Sequence, residues 1–262
     1  MLGRLVQSIL AKNRIYISRA EELQNVRDLI SALRPMSGEK PLVRIGSPSG
    51  DGGYLLPDDF QDVAACISPG VSDEVGFDLQ MTSMGIPVYM ADASVLGPPV
   101  LNHQFHFSPL FLDSYSSTGC ITLADYIKDL HPGRDLVLQM DIEGAEWRVI
   151  NSTPSNILER FRIIVMEAHR LDNLFSKFGY SEINAALRKL LLTHNVVHIH
   201  PNNVTDGISI GDIVVPSLLE FTFHRKDRDI FTIKSRDYPH PLDRKNVSNK
   251  PDLILPRCWW PI

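Results

Sequence analysis

Short apolar runs recur through the middle of the chain with helix-patterned stretches between them, and this alternation constrains the fold more than any other feature. The runs fall at residues 63–68, 87–91, 104–112, 136–140, 163–166, 196–200 and 219–224, and the helical patterns at 74–84, 123–130, 145–150 and 183–193. Runs this short and continuous read as strands buried on both faces, and helices between them supply parallel crossovers. The expected fold is therefore α/β, a doubly wound, mostly parallel sheet of seven strands. The last two runs are joined by a connection containing Pro201, Asn202, Asn203, Gly207 and Gly211 with no helix-length segment, which predicts a terminal antiparallel hairpin.

Residues 1–40 read as an N-terminal helical extension, 41–235 as the main domain and 236–262 as a tail packed on it. Ser18 and Glu21 have capping-box spacing, and Leu23, Val26, Ile30 and Leu33 form a stripe that Pro35 ends. Leu2, Leu5, Val6 and Leu10 form an earlier stripe, expected to pack on the body or on a second copy of the chain, so a homo-oligomer is kept among the partners. The tail ends in Trp259 and Trp260, expected to pin it down. No apolar run approaches the roughly 20 residues that cross a bilayer. The first residues lack the h-region and cleavage site of a signal peptide, so the expected location is cytoplasmic. Three scattered cysteines do not make a disulfide scaffold, and Cys66, within an apolar run, reads as a buried thiol. A net charge of −5 argues against nucleic acid as a partner.

Five places could carry chemistry. In the first, the strand at 63–68 opens through Ser68, Pro69 and Gly70 into a turn, with Asp73 and Glu74 beside the helix start, and Asp92 closes the next strand. A glycine that admits close approach and an acid after strand two form the layout by which doubly wound sheets hold a nucleoside. A nicotinamide enzyme would need G-x-G-x-x-G. Here carboxylates stand where a diphosphate would lie, which suits a cationic ligand such as the sulfonium of S-adenosylmethionine. In the second, a strand ends in Asp141 and Glu143 before Gly144, at the edge that faces the ligand crevice, while Glu146 is expected to be solvated. Third, Glu167 and His169 share one strand face, and beside Asp141 they supply a general base or ligands for a divalent ion. Fourth, His198 and His200 share a face before Asn202 and Asn203. This spacing suits zinc, a substrate-binding rim at His200 and Asn202, or fold support. The glycine-rich run carrying Asp51 and Tyr54 is either a tight hairpin or part of the ligand pocket.

In order along the chain, Asp51-Gly-Gly-Tyr54, Gly70-Val-Ser72, Asp92, Ile121-Thr-Leu-Ala-Asp125, Met140-Asp-Ile-Glu-Gly-Ala-Glu146, Val165-Met-Glu167 and His198-Ile-His-Pro-Asn-Asn203 resemble the FkbM-like methyltransferases, over about Asp51 to Phe223. The resemblance implies the Rossmann-like class I fold, S-adenosylmethionine as cofactor, and methyl transfer to a hydroxyl of a small molecule, sugar or glycan. It implies that Ser68, Pro69 and Gly70 line the amino-acid end of the cofactor. Asp92, followed by Ala93, would hold the ribose, and Asp141 would border the methyl-transfer site. The glycine-rich turn departs from the family pattern in keeping one glycine. Because an unperturbed carboxylate is a weak base for an alcohol, His169 is the expected base, or Mg²⁺ or Mn²⁺ held by Asp141, Glu167 and His169 lowers the hydroxyl pKa. Two rivals stand beside this expectation: a metal-dependent hydrolase using the same edge, and a non-catalytic binding module on the same fold.

Overall fold

The protein is described by a computed structural model covering residues 19–233 and 238–260. The stripe at Leu2 to Leu10 and the Ser18 half of the capping box lie outside the described residues. Helix α1 (Leu23–Ala32) buries Val26, Leu29 and Ile30 and ends before Pro35. An antiparallel hairpin follows, β1 (Leu42–Gly46) and β2 (Gly53–Pro57), then β3 (Ala65–Pro69), α2 (Gly76–Ser83), β4 (Val88–Ala91) and β5 (Phe105–Ser108). The expected strand at 104–112 is divided. Pro109 has no N–H to give the ladder, so β5 stops at Ser108 and the chain resumes as β6 (Phe111–Leu112), which pairs with β7 (Cys120–Ile121).

Helix α3 (Leu123–Tyr126) starts at Thr122, whose hydroxyl accepts from the Asp125 N–H, so the Thr-Leu-Ala-Asp run is a helix cap. Then come β8 (Leu136–Met140), α4 (Glu146–Ser152), α5 (Ser155–Leu158), β9 (Phe161–His169) and α6 (Lys177–Thr193). Helix α6 begins earlier than the pattern at 183–193 predicts, because Ser176 caps it by accepting from Gly179 N at 3.0 Å. Strand β10 (His194–Pro201), the small hairpin β11 (Gly207–Ile210) and β12 (Ile213–Pro216), and β13 (Leu218–Arg225) complete the strands.

Seven strands form one sheet in the order β10-β13-β9-β8-β3-β4-β5. Strand β13 runs antiparallel to both β9 and β10, and the other neighbours pair in parallel. This is the predicted doubly wound sheet with its reversed terminal hairpin, and the chain order reverses between β3 and β8. Strands β3 and β8 are buried at all five positions, as helix-covered parallel strands must be.

Each face has its own core. One packs α1, α4 and α6 on Leu138, Met140, Ile164, Met166 and Phe221, and the other packs the β1–β2 hairpin and α2 on Cys66, Val137, Ile163 and Val165. The hairpin is tied down where Thr222 Oγ1 donates to Leu55 O at 2.7 Å. Trp259 is fully buried and donates from its indole to Val214 O at 2.8 Å. Among the described residues no helix is long and apolar enough to cross a membrane.

Candidate active site

The crevice opens where the sheet reverses direction. Gly70, just beyond β3, has φ +86°, and a Cβ built on it would stand 1.7 Å from the carbonyl oxygen of Asp141. No residue with a side chain fits there, so glycine alone lets the turns after β3 and β8 meet. Asp92 follows β4 beside them. Its Oδ2 accepts from Val71 N at 2.9 Å, and its Oδ1 accepts from Ser94 N at 2.7 Å and Ser94 Oγ at 2.6 Å.

Two cavities meet over these residues. A cleft of about 210 Å³ is lined by Asp51, Tyr54, Glu74, Asp78 and Gln139 among others, and one of about 520 Å³ by Ala91, Phe111, Leu112, Ile142 and Ala145 among others. They share Gly70, Asp92, Ser94, Asp141 and Glu143, and so form one crevice with an acidic end and an apolar end. The lone cation on either lining is Arg148, already paired with Asp113 at 2.7 Å.

The glycine-rich run is both hairpin and pocket wall: its tip carries Asp51, and Tyr54 follows in β2. Burial, then the surrounding carboxylates of Glu167, Asp141 and Glu220, push the Tyr54 phenol well up. Ser68 and Pro69 are buried in β3 behind the lining, and Ser68 donates to Gln139 Oε1 at 2.8 Å. Ala93 follows Asp92 without entering either lining.

Pairing across the sheet sets up a polar row. Met140 pairs with Met166, which puts Asp141 beside Glu167, and Glu220 of β13 pairs with Glu167 on one side and His200 on the other. Glu167 is buried among carboxylates, and desolvation first, then Asp141 and Glu220, raise its pKa far above the usual carboxylate range. It accepts from Asn202 Nδ2 at 2.6 Å. Desolvation also raises Asp141, whose Oδ1 is buried without a hydrogen-bond partner. Glu167 therefore holds a proton beside an ionised Asp141.

His169 ends β9 with Nε2 3.8 Å from Asp141 Oδ1 and 3.5 Å from Glu143 Oε2. Glu143 reaches it from an exposed turn in which Glu143 (φ +57°) and Gly144 (φ +97°) are both left-handed. Burial alone would lower the His169 pKa, but the hydrogen bond to Glu146, with Asp141 and Glu143 beyond, raises it. The predicted trio does converge: ligand atoms of Asp141, Glu167 and His169 lie within 4.8 Å of one another. A second such group joins Asp51, Glu167 and Glu220.

Glu146 differs from expectation. It is fully buried, and its Oε1 accepts from Ile142 N, Gly144 N and His169 Nδ1, because the turn after β8 folds back over the first residue of α4. The expected rim residues differ too. His200 is buried against Glu220 at 3.3 Å, Asn202 is buried holding Glu167, and neither lines the crevice. His198 is occupied by Asp243 of the tail at 2.9 Å, so the His-x-His pair supports the fold.

Sequence reasoning missed Ser94, Asp78 and Glu220. Asp78 lies on the floor of the acidic end, with Oδ1 buried and unpartnered and its pKa pushed up to about 6 by burial. Glu220 had a signal, a single acid inside the apolar run Leu218 to Phe223.

Residues 90–192 match the family described as the methyltransferase FkbM domain, a shorter stretch than the Asp51 to Phe223 resemblance read from motifs. No curated protein matches the chain. Among solved structures, a candidate methyltransferase from Thermoplasma acidophilum is 10% identical with a TM-score of 0.36, covering 63% of this chain and 69% of that one. TrmN from Thermus thermophilus is 12% identical with a TM-score of 0.32, covering 62% of this chain and 44% of that one. The bifunctional kinase-methyltransferase WbdD is 10% identical with a TM-score of 0.30, covering 62% of this chain and 35% of that one. The chain thus spans less than half the length of the last two. Its seven-stranded sheet is Rossmann-like, and residues 90–192 match the model of the methyltransferase FkbM domain family.

Proposed function

We propose that the protein transfers a methyl group from S-adenosylmethionine to a hydroxyl of a small molecule, sugar or glycan. The observation that carries this reading is the contact of Gly70 with the Asp141 carbonyl beside Asp92, at the reversal point of the sheet and the centre of the crevice. In open α/β sheets this is where a nucleoside binds. The apolar end suits an adenine ring against Leu112 and Ile142. Asp92 suits the ribose diol, since a carboxylate has about four lone-pair sites and displacing the Ser94 hydroxyl frees a second one. The acidic end, lined by Asp51, Glu74 and Asp78 without a cation, suits the ammonium and the sulfonium.

When bound, S-adenosylmethionine supplies an already activated methyl, so the residues here have to position the acceptor oxygen and receive its proton. His169 is the proposed base, its Nδ1–H fixed by Glu146 and its Nε2 turned toward Asp141 and Glu143. A proton arriving on Nε2 is stabilised between those two carboxylates. Cytoplasmic location and absence of nucleic-acid partners remain part of the proposal.

One observation favours a second reading. Asp141, Glu167 and His169 offer one aspartate, one glutamate and one imidazole at mutual distances that fit a divalent ion. There the ion would lower the acceptor hydroxyl's pKa, or in a hydrolase that of a water.

Calorimetry with S-adenosylhomocysteine, followed by radiolabelled methyl transfer to sugars and glycolipids, tests the proposal. Micromolar binding that Asp92→Ala weakens at least tenfold, with label in an alkali-stable ether, is the expected result. No binding overturns it, and binding without transfer to any acceptor leaves the binding-module reading. Loss of activity on chelation, restored by Mg²⁺ or Mn²⁺, assigns the ion its role.

A further inference from the structure

We propose that Asn246, on the C-terminal tail, is a positioning residue of the crevice that acts by clamping Asp51 to Glu220. The proposal rests on the methyltransferase reading above, in which Asp51 faces the cationic end of the cofactor. Asn246 Nδ2 lies 2.9 Å from Asp51 Oδ1 and 2.7 Å from Glu220 Oε1. Carboxylates only accept, so the NH₂ group must face both, with one proton for each. Asp51 and Glu220 belong to the group whose ligand oxygens, with Glu167, lie within 4.8 Å of one another. A neutral donor between them offsets their repulsion and leaves the net charge of the acidic end unchanged.

The two ends of the clamp differ in stiffness. Glu220 sits mid-strand between β9 and β10. Asp51 sits on a hairpin tip in which Gly46, Gly50 and Gly52 all have positive φ, a backbone that resists disorder poorly. The tail itself is anchored independently of Asn246. His198 bonds Asp243 at 2.9 Å, Asn203 exchanges hydrogen bonds with Val247 at 2.8 and 2.9 Å, and Trp259 is fully buried. Removing the Asn246 amide therefore releases the tip and leaves the tail docked. Lys245 and Asn246 lie against the hairpin tip at Gly50, behind the lining of the acidic end, and belong to a segment outside the stretch 90–192 that matches the family model.

The test uses the full chain in four forms, wild type, Asn246→Ala, Asp51→Ala and the double variant, titrated calorimetrically with S-adenosylmethionine. Hydrogen exchange is followed in parallel. Each single variant is expected to bind about tenfold more weakly, with the double variant no weaker than either, as for residues acting through one contact. Asn246→Gln, which keeps the NH₂ donor, should recover most of the loss. Exchange should quicken at residues 47–53 in Asn246→Ala and stay unchanged at 196–203 and 255–259. Additive losses, or an unchanged exchange rate at the tip, overturn the clamp. If the wild type binds no S-adenosylmethionine, the methyltransferase reading fails, and the exchange measurement alone decides the clamp.

Discussion

Oε1 of Glu146 lies 3.0 Å from Nδ1 of His169 and also takes the backbone N–H groups of Ile142 and Gly144, at 3.1 and 3.2 Å. One buried carboxylate thereby fixes both the turn that presents Asp141 and the tautomer of the histidine beside it. With Nδ1–H committed to Glu146, Nε2 is the nitrogen left to face the crevice.

Glu146→Gln keeps an acceptor for the two N–H groups and removes the negative charge. The His169 imidazolium loses its main stabilising partner, so its pKa falls. A base with a lower pKa is deprotonated further into acid, and the acid limb of the pH–rate profile should move to lower pH. The weaker and less well oriented base should cost about 10- to 100-fold in rate, part of what general-base catalysis commonly supplies. The pH profile of methyl transfer, with NMR titration of His169, checks this. An unmoved acid limb means that Glu146 serves only the fold.

Gly70→Ala places a methyl group 1.7 Å from a backbone oxygen at φ +86°. The turns after β3 and β8 must separate, and the fold should lose roughly 2–4 kcal/mol by strain at a position that resists relaxation. Binding of S-adenosylhomocysteine should be lost with it. Urea unfolding and calorimetry test the two consequences separately. Wild-type stability in this variant contradicts the close approach.

How much of this was legible in the sequence depended on how local the signal was. All seven strands of the main sheet, including the half-exposed edge strand β5, were readable from their apolar runs, and Asp141, Glu167 and His169 from their position at strand ends, because the parallel pairing of β8 with β9 follows from the βαβ pattern. Glu146 was misread because its burial comes from a turn with two left-handed residues folding back over it, and nothing in the local residue types announces that geometry. Asn246 was out of reach for a different reason. Its partners Asp51 and Glu220 are 195 and 26 positions away, and only the folded tail brings them together. His200 and Asn202 look like a loop rim in sequence, but β10 runs on to Pro201 and buries them both.

Glu167→Gln should stabilise the protein at neutral pH and above. The folded-state pKa of Glu167 is raised, so as pH climbs past its ordinary value of 4.5 the unfolded chain gives up its proton first. Stability is then lost progressively until the folded pKa is reached. Glutamine mimics the protonated acid, accepting from Asn202 and donating toward Asp141, and carries no such penalty. An advantage of about 1–3 kcal/mol at pH 8, shrinking toward pH 5, is expected from a shift of this kind. Urea midpoints at the two pH values measure it, and a variant less stable at pH 8 than the wild type refutes the buried proton.

His194 gives the opposite dependence at the far end of the sheet. It is fully buried, with Nε2 2.7 Å from Phe161 O and Nδ1 2.8 Å from Thr193 Oγ1. Both bonds are made by a neutral ring in which Nε2–H donates to the carbonyl and Nδ1 accepts from the hydroxyl. Burial lowers its pKa from 6.5 to about 4, and burial also lowers that of His224 nearby. A depressed folded pKa contributes stability that is whole above the unfolded value and lost as pH falls toward the folded one. Between pH 6.5 and 4 the unfolded chain takes up a proton that the native ring refuses, a loss of about 3 kcal/mol from His194. His194→Gln offers the carbonyl an N–H and the hydroxyl an oxygen without titrating, so its unfolding free energy should fall less steeply over that window. Urea unfolding at half-unit pH steps compares the two slopes, and an imidazole resonance for His194 that titrates near 6.5 in the native protein shows the ring is not held neutral.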